Sequence, residues 1–307
     1  MSTPVDEPLP VAVLPRPAPA VVDGIAAGGG RPVPPEQAGS LIWTGDGPDG
    51  LAAALAELPR VRWVQLPAAG VDGYLPLIDD DRIWTRASGV FDTPVAEHAL
   101  MLAMAVLRDV TGSVRPRRWR PRPPVSLVGA DVLVVGGGGI TTALLGLLAP
   151  WRTHTTVVNR TGRPVPGADA VVPIDRLDEV LPAARVVVLA APLTARTDGL
   201  IDARRLRLMR PDACLVNVAR GRLVVTDDLV SALSTGEIAG AGLDVTEPEP
   251  LPDDHPLWDL PTCLITAHCA GELDDSMAEF AALVAGNVRR RAAGRPLSGL
   301  IDTAAGY

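Results

Sequence analysis

VLVVGGGGITTALLGLL, residues 132–148, runs from four apolar residues into four glycines and then into an apolar stretch with helical spacing. The first part reads as a buried strand and the last as a helix, with the glycines as the turn between them. Gly136 permits the tight turn, and Gly138 lets backbone amides approach a pyrophosphate at the helix N-terminus. The G-x-G-x-x-G pattern is imperfect: its third glycine would be residue 141, and Thr141 stands there. The strand–turn–helix setting carries the reading, and it points to a dinucleotide site.

Outward from this stretch the alternation continues. Strands are expected at DVLVV (131–135), TTVVN (155–159), DAVV (169–172), RVVVLA (185–190), CLVNV (214–218), AGLDV (241–245) and CLITA (263–267). Helices are expected at ITTALLGLLAP (140–150) and DDLVSALSTG (227–236), the latter with Thr226 as cap and Gly236 as stop. Near-continuous Val/Leu/Ile strands are what a sheet covered on both faces requires. Before this block, VAVLP (11–15), LIW (41–43) and VRWVQLP (61–67) read as strands and PDGLAAALAEL (48–58) as a helix. A long apolar helix, TPVAEHALMLAMAVLRD (93–109), opens at Thr93 with Pro94 in its first turn. The fold class is α/β with parallel sheets, in two blocks.

The end of the second strand of the later block, VVNRTGR, carries Asn159, Arg160 and Arg163 and no carboxylate. An acidic residue there would hold a ribose 2′-hydroxyl, whereas a guanidinium pairs with a 2′-phosphate. The expected cofactor is therefore NADP(H), with NAD(H) second; the plainer reading of Arg160 is an exposed loop residue.

The 307 residues supply ample core for one large or two ordinary domains. No apolar run approaches a membrane span, and MSTPVDEPLP has neither a basic nor an apolar signal region. Cys214, Cys263 and Cys269 are odd in number and lack metal-ligand spacing. Two of them lie in strand-like runs where buried reduced thiols are expected, and Cys269, beside His268, has a nucleophile as its lesser reading. A cytoplasmic setting and no bound metal are expected. A net charge of −8 disfavours nucleic-acid binding. The exception is RPRRWRPRP (115–123), read as a solvated connector or subunit-contact arm, with an anion or nucleic-acid site as the alternative. The chain has no lysine.

LITAHCAG (264–271) places His268, one of four histidines, at the end of a strand-like run. Alone it reads as structural. Two further patches change that: NVARGRLVVTDDL, with Arg220, and GAGLDVTEPEPLPDDHPLWDLPTCLITAHCAG, with Asp244, Glu249 and His268. In this order and spacing, with VQLPAAGVDGYL (64–75), SGVFDTPVAEHALML (88–102) and APLTARTDGLI (191–201), the chain resembles the D-isomer-specific 2-hydroxyacid dehydrogenase family, which includes glyoxylate and hydroxypyruvate reductases.

The resemblance implies a Rossmann-type, doubly wound cofactor domain at 97–274. This domain is inserted into a smaller flavodoxin-like α/β substrate domain of 1–96 and 275–307, with the active site in the cleft. It implies reduction of a small 2-oxo acid to the D-2-hydroxy acid. Arg220 would hold the substrate carboxylate or carbonyl, and His268 would give the proton. Glu249 would be the acidic partner of His268, and Asp244 would contact the nicotinamide end. The cofactor set would also include Gly136, Gly138, Gly139, Ile140, Asn159, Arg160, Arg163, Pro192, Val218, Ala219, Ala270 and Gly271. Backbone amides around Ala69, Gly70 and Val71 would cradle the carboxylate. A homodimer is implied, with no membrane or nucleic-acid partner. The chain departs from the family pattern at Thr141, at Ala191, and at Ala267 and Cys269 beside His268. A catalytically weak dinucleotide-binding regulator on the same fold is the rival reading.

Overall fold

The computed structural model describes residues 7–45, 47–114, 125–271, 275–303 and 306; the Arg-rich stretch 115–123 lies outside them. The chain divides into two units, Met1–Phe91 with Leu273–Tyr307, and Asp92–Glu272. The second unit opens with the continuous helix Asp92–Leu107.

In the first unit, β1 (Pro10–Leu14), β2 (Arg31–Pro32), β3 (Ser40–Trp43), β4 (Trp63–Gln65) and β5 (Ile83–Thr85) form a parallel sheet in the order β2-β1-β3-β4-β5. This is the flavodoxin-type winding. The last long helix, Ser276–Ala292, returns to this unit and packs on Pro19–Ala27. A Cβ at Gly24 or Gly28 would lie 2.6 or 2.7 Å from the carbonyl oxygens of Ala281 and Ala285, so small residues set the helix spacing. The expected helix at 48–58 is shorter, Leu51–Ala56, because Gly50 takes a left-handed turn (φ 79°) just before it.

The second unit holds β6 (Asp131–Val135), β7 (His154–Asn159), β8 (Ala170–Pro173), β9 (Val186–Leu189), β10 (Cys214–Asn217), β11 (Gly240–Leu243) and β12 (Cys263–Ile265). All are parallel, in the order β12-β11-β10-β9-β6-β7-β8. The winding reverses between β6 and β9, and ligands of such sheets bind beyond the strand C-termini at that switch point. Strands β9, β10 and β11 are buried throughout, as their Val/Leu/Ala/Gly sequences require. Gly236 ends the helix Thr226–Thr235 in the left-handed region, as expected. Thr226 is not its cap: Val225 holds that position, and the Thr226 hydroxyl instead donates to the Glu247 carbonyl at 2.6 Å. No helix among the described residues is long and apolar enough to cross a membrane.

Candidate active site

Because the second sheet is parallel, every strand delivers its C-terminal turn to the same edge. The turns after β6, β7, β9, β10, β11 and β12 carry Gly136–Ile140, Asn159–Arg163, Pro192, Val218–Arg220, Asp244–Glu249 and His268–Gly271. The residues singled out in this part of the sequence therefore share one edge of one sheet.

At the switch point, Gly136 has φ 124°, and a Cβ there would lie 2.3 Å from the Ala190 carbonyl oxygen. Only glycine fits. Gly138 caps the helix Gly139–Leu148, and a Cβ at Gly138 would meet nothing within 4 Å, which leaves open space at a helix N-terminus. That space, with its orphan amides, fits a dinucleotide pyrophosphate. Thr141 is fully buried, and its hydroxyl donates to the Gly136 carbonyl at 3.0 Å. The residue in the third-glycine position is thus built into the turn, its polar atom satisfied.

Beyond β7, Asn159 organises its own loop. Its Oδ1 accepts the amides of Thr161, Gly162 and Arg163 at 3.2, 2.7 and 3.1 Å, and its Nδ2 donates to the Arg163 carbonyl at 2.7 Å. The side chain shapes the loop rather than reaching out of it. Arg160 and Arg163 are exposed, and among the described residues neither makes an ion pair. Pro192, after β9, is exposed, with its carbonyl accepting the Thr197 hydroxyl at 2.7 Å.

The turn after β10 is pinned by Asn217. Its Oδ1 accepts the Ala219 amide at 3.1 Å, and its Nδ2 donates to the Arg220 carbonyl at 2.8 Å. Val218 and Ala219 are buried, and Arg220 donates from Nη1 to the Ala219 carbonyl at 2.7 Å. Gly221 permits the next contact: a Cβ there would lie 1.9 Å from the Thr246 carbonyl oxygen. The loop bearing Glu249 can therefore close against the Arg220 turn.

His268 Nδ1 lies 2.6 Å from Glu249 Oε1, and Glu249 Oε2 accepts the Thr246 amide at 3.3 Å. The hydrogen bond to Glu249 raises the His268 pKa above its ordinary 6.5, against burial and the nearby Arg220 charge. The same bond lowers the Glu249 pKa below 4.5, with Arg220 also contributing. Arg220 thus acts on both members of the pair. An imidazolium held by a carboxylate beside a guanidinium is equipped to donate a proton next to a bound anion.

His268 adopts φ 50°, unusual for a non-glycine residue. The strain, roughly 1–3 kcal/mol for such a backbone, is countered by Asp244. The Asp244 carbonyl accepts the His268 amide at 2.8 Å, and its carboxylate oxygens accept the Cys269 and Ala270 amides, each at 3.1 Å. Asp244 Oδ1 also accepts the Thr266 hydroxyl at 2.6 Å. That hydroxyl has donated its proton, so its 2.8 Å contact with His98 Nε2 requires the histidine to donate. His98 Nε2, Asp244 and Cys269 Sγ come within 4.8 Å of one another, a spacing that these hydrogen bonds account for.

In the first unit, the turn after β4 carries Ala69, Gly70 and Val71, and β5 ends beside it. The Ala87 amide donates to the Ala68 carbonyl at 2.9 Å, and Arg86 Nη1 donates to the Ala69 carbonyl at 3.1 Å. Among the described residues, the amides of Ala69, Gly70 and Val71 have no hydrogen-bond partner. Beneath them is a buried polar chain. Trp63 Nε1 donates to Thr85 Oγ1 at 2.9 Å, and Thr85 Oγ1 to Gln65 Oε1 at 2.8 Å. Asn287 Nδ2 donates to Gln65 Oε1 at 2.9 Å.

Sequence reasoning passed over His98, Thr266, Asn217 and Arg86. The signals were faint: a histidine inside an apolar helix, a threonine two residues before His268, and polar residues at strand ends.

Residues 98–270 match the family model for the NAD binding domain of D-isomer specific 2-hydroxyacid dehydrogenases. The chain is 33% identical over 248 residues to the glyoxylate reductase of Pyrococcus furiosus, covering 75% of this chain and 72% of that protein. It is 38% identical over 268 residues to a Corynebacterium melassecola protein described as "Uncharacterized protein in proB 3'region", covering 84% of this chain and 88% of that one. Among solved structures, a D-isomer specific 2-hydroxyacid dehydrogenase from Xanthobacter autotrophicus Py2, in complex with NADPH and MES, superposes with a TM-score of 0.83 at 28% identity. It covers 98% of this chain and 99% of that one. The chain belongs to the D-isomer specific 2-hydroxyacid dehydrogenase family.

Proposed function

We propose that the protein is an NADP(H)-dependent reductase of a small 2-oxo acid, forming the D-2-hydroxy acid. The carrying observation is the His268–Glu249 pair at 2.6 Å, with the Arg220 charge acting on both, on the sheet edge that also presents the Gly136–Gly138 turn. When bound, the reduced nicotinamide supplies the hydride. His268 donates the proton to the carbonyl oxygen, and Glu249 keeps the imidazole charged and oriented. Arg220 holds the substrate carboxylate or carbonyl with its planar fork. Asp244 holds the turn of residues 268–270 and faces the nicotinamide end.

Preference for NADP(H) rests on Arg160 and Arg163, exposed cations that make no ion pair among the described residues, in the loop that Asn159 orders. Gly139, Ile140, Pro192, Val218, Ala219, Ala270 and Gly271 complete the proposed cofactor contacts. A homodimer is part of the reading: Met101, Val110, Val114 and Val128 of the second unit are exposed and apolar, suited to cover by a second copy. A cytoplasmic setting suits the free thiols of Cys214, Cys263 and Cys269.

The test is NADPH consumption with glyoxylate, hydroxypyruvate, pyruvate and phenylpyruvate, for wild type and His268→Gln. Turnover by wild type, lost in the variant while NADPH still binds, supports the reading. Tight NADPH binding without turnover on any of the four acids would leave a dinucleotide-binding regulator in its place. For the cofactor, Arg160→Ala should weaken NADPH binding and leave NADH binding unchanged; equal wild-type affinities for the two would refute the preference.

A further inference from the structure

A trans peptide unit points its carbonyl and its following N–H in opposite directions. At the turn after β4, two successive carbonyls are drawn toward the end of β5: Ala68 by the Ala87 amide and Ala69 by the Arg86 guanidinium. The N–H groups of Ala69 and Gly70 must therefore face away from β5, and both lack a partner among the described residues. The next amide, Val71, is equally unpaired. Three successive unpaired N–H groups form a concavity suited to an anion.

Arg86 is set apart from the other polar residues here. It is half-buried, its Nε is buried without a partner, and among the described residues no carboxylate pairs with it. A withdrawn cation bonded only to a neutral carbonyl is not stabilised by a counter-ion in this unit. Its footing is rigid, because β4 and β5 stand on the buried chain of Trp63, Thr85, Gln65 and Asn287.

We propose that Arg86 is a positioning residue of a carboxylate cradle: by holding the Ala69 carbonyl it presents the Gly70 amide, and its charge favours an anionic ligand there. This rests on the 2-oxo acid reading above and deepens it. It adds a side chain that makes the loop prefer a carboxylate over a neutral group of the same shape.

The experiment compares wild type, Arg86→Ala, Arg86→Gln and Arg86→Lys in two assays. One is turnover with pyruvate against pyruvamide; the other is direct binding of oxamate to the NADPH-loaded protein. Arg86→Ala should raise the KM for pyruvate and the oxamate Kd by about ten- to a hundredfold, the scale of one charge-assisted hydrogen bond. Its kcat should stay within about threefold, and its preference for pyruvate over pyruvamide should shrink. Arg86→Lys, which restores a cationic donor, should recover more of that preference than Arg86→Gln. A merely structural arginine would lower Tm and leave the selectivity alone. Wild-type turnover with unchanged selectivity in Arg86→Ala overturns this proposal and spares the reductase. Oxamate binding that depends on Arg86 without any turnover does the reverse, and absence of both turnover and oxamate binding overturns both.

Discussion

Nδ1 of His268 and Oε1 of Glu249 share a 2.6 Å hydrogen bond that holds the imidazole charged above its ordinary pKa of 6.5 and the carboxylate below its ordinary 4.5. Reduction needs the protonated histidine, so kcat/KM for the 2-oxo acid should be flat at acid pH. It should fall by one proton as pH rises through a midpoint above 6.5. Glu249→Gln removes the main cause of the shift and should move that midpoint down. A profile identical in wild type and variant would detach Glu249 from the proton donor.

The same shifts give the pair a pH-dependent share in stability. His268, raised on folding, stabilises fully below 6.5 and loses this as pH rises through its folded value. Glu249, lowered on folding, stabilises fully above 4.5 and loses this as pH falls through its folded value. The coupling measured by a double-mutant cycle of Glu249→Gln and His268→Gln should therefore peak between those two values and fade on either side. Urea denaturation across that range measures it; a coupling that keeps growing toward alkaline pH contradicts the assignment.

Thr141 carries a prediction that its motif alone would reverse. Thr141→Gly restores the glycine pattern, yet it removes a buried side chain and its bond to the Gly136 carbonyl. The variant should lose about 1–2 kcal/mol of stability without gaining NADPH affinity. Gly136→Ala should be far worse, since its Cβ would press to 2.3 Å on the Ala190 oxygen at a positive φ. A thermal melt with and without NADPH separates the two cases.

Much of this was legible in the sequence because parallel β/α winding writes itself as alternating apolar runs. β6 appears at the expected residues, Asp131–Val135, and the other strands of the second sheet within one or two. Arg220, Glu249 and His268 lie far apart in the chain, but each follows a strand-like run, and a parallel sheet brings such ends to one edge. β2, a two-residue edge strand of Arg and Pro, has no pattern to betray it. Thr226 has the chemistry of a cap and sits one residue too late, because the Glu247 carbonyl competes for its hydroxyl. His98 and Arg86 act through partners in other elements, and such pairings are set by packing rather than by local periodicity.

The His98–Thr266–Asp244 relay makes a last, sharper claim. Asp244 is almost wholly buried, with 1% of its side chain exposed, and it fixes the turn on which His268 stands. Thr266→Val keeps the shape, yet removes the donor to Asp244 and the acceptor for His98 at once. Leaving such groups short of partners costs about 1–3 kcal/mol. His98→Phe removes the donor to Thr266 and the 3.3 Å approach of Nε2 to Asp244 Oδ1, but leaves Thr266 bonded to Asp244, so its cost should be smaller. Both variants should reduce kcat more than NADPH affinity if the relay serves the His268 turn, because the proton donor then drifts from its geometry. Equal losses in kcat and in NADPH affinity, or a loss confined to NADPH binding, would show that the relay supports the cofactor edge and not the histidine alone.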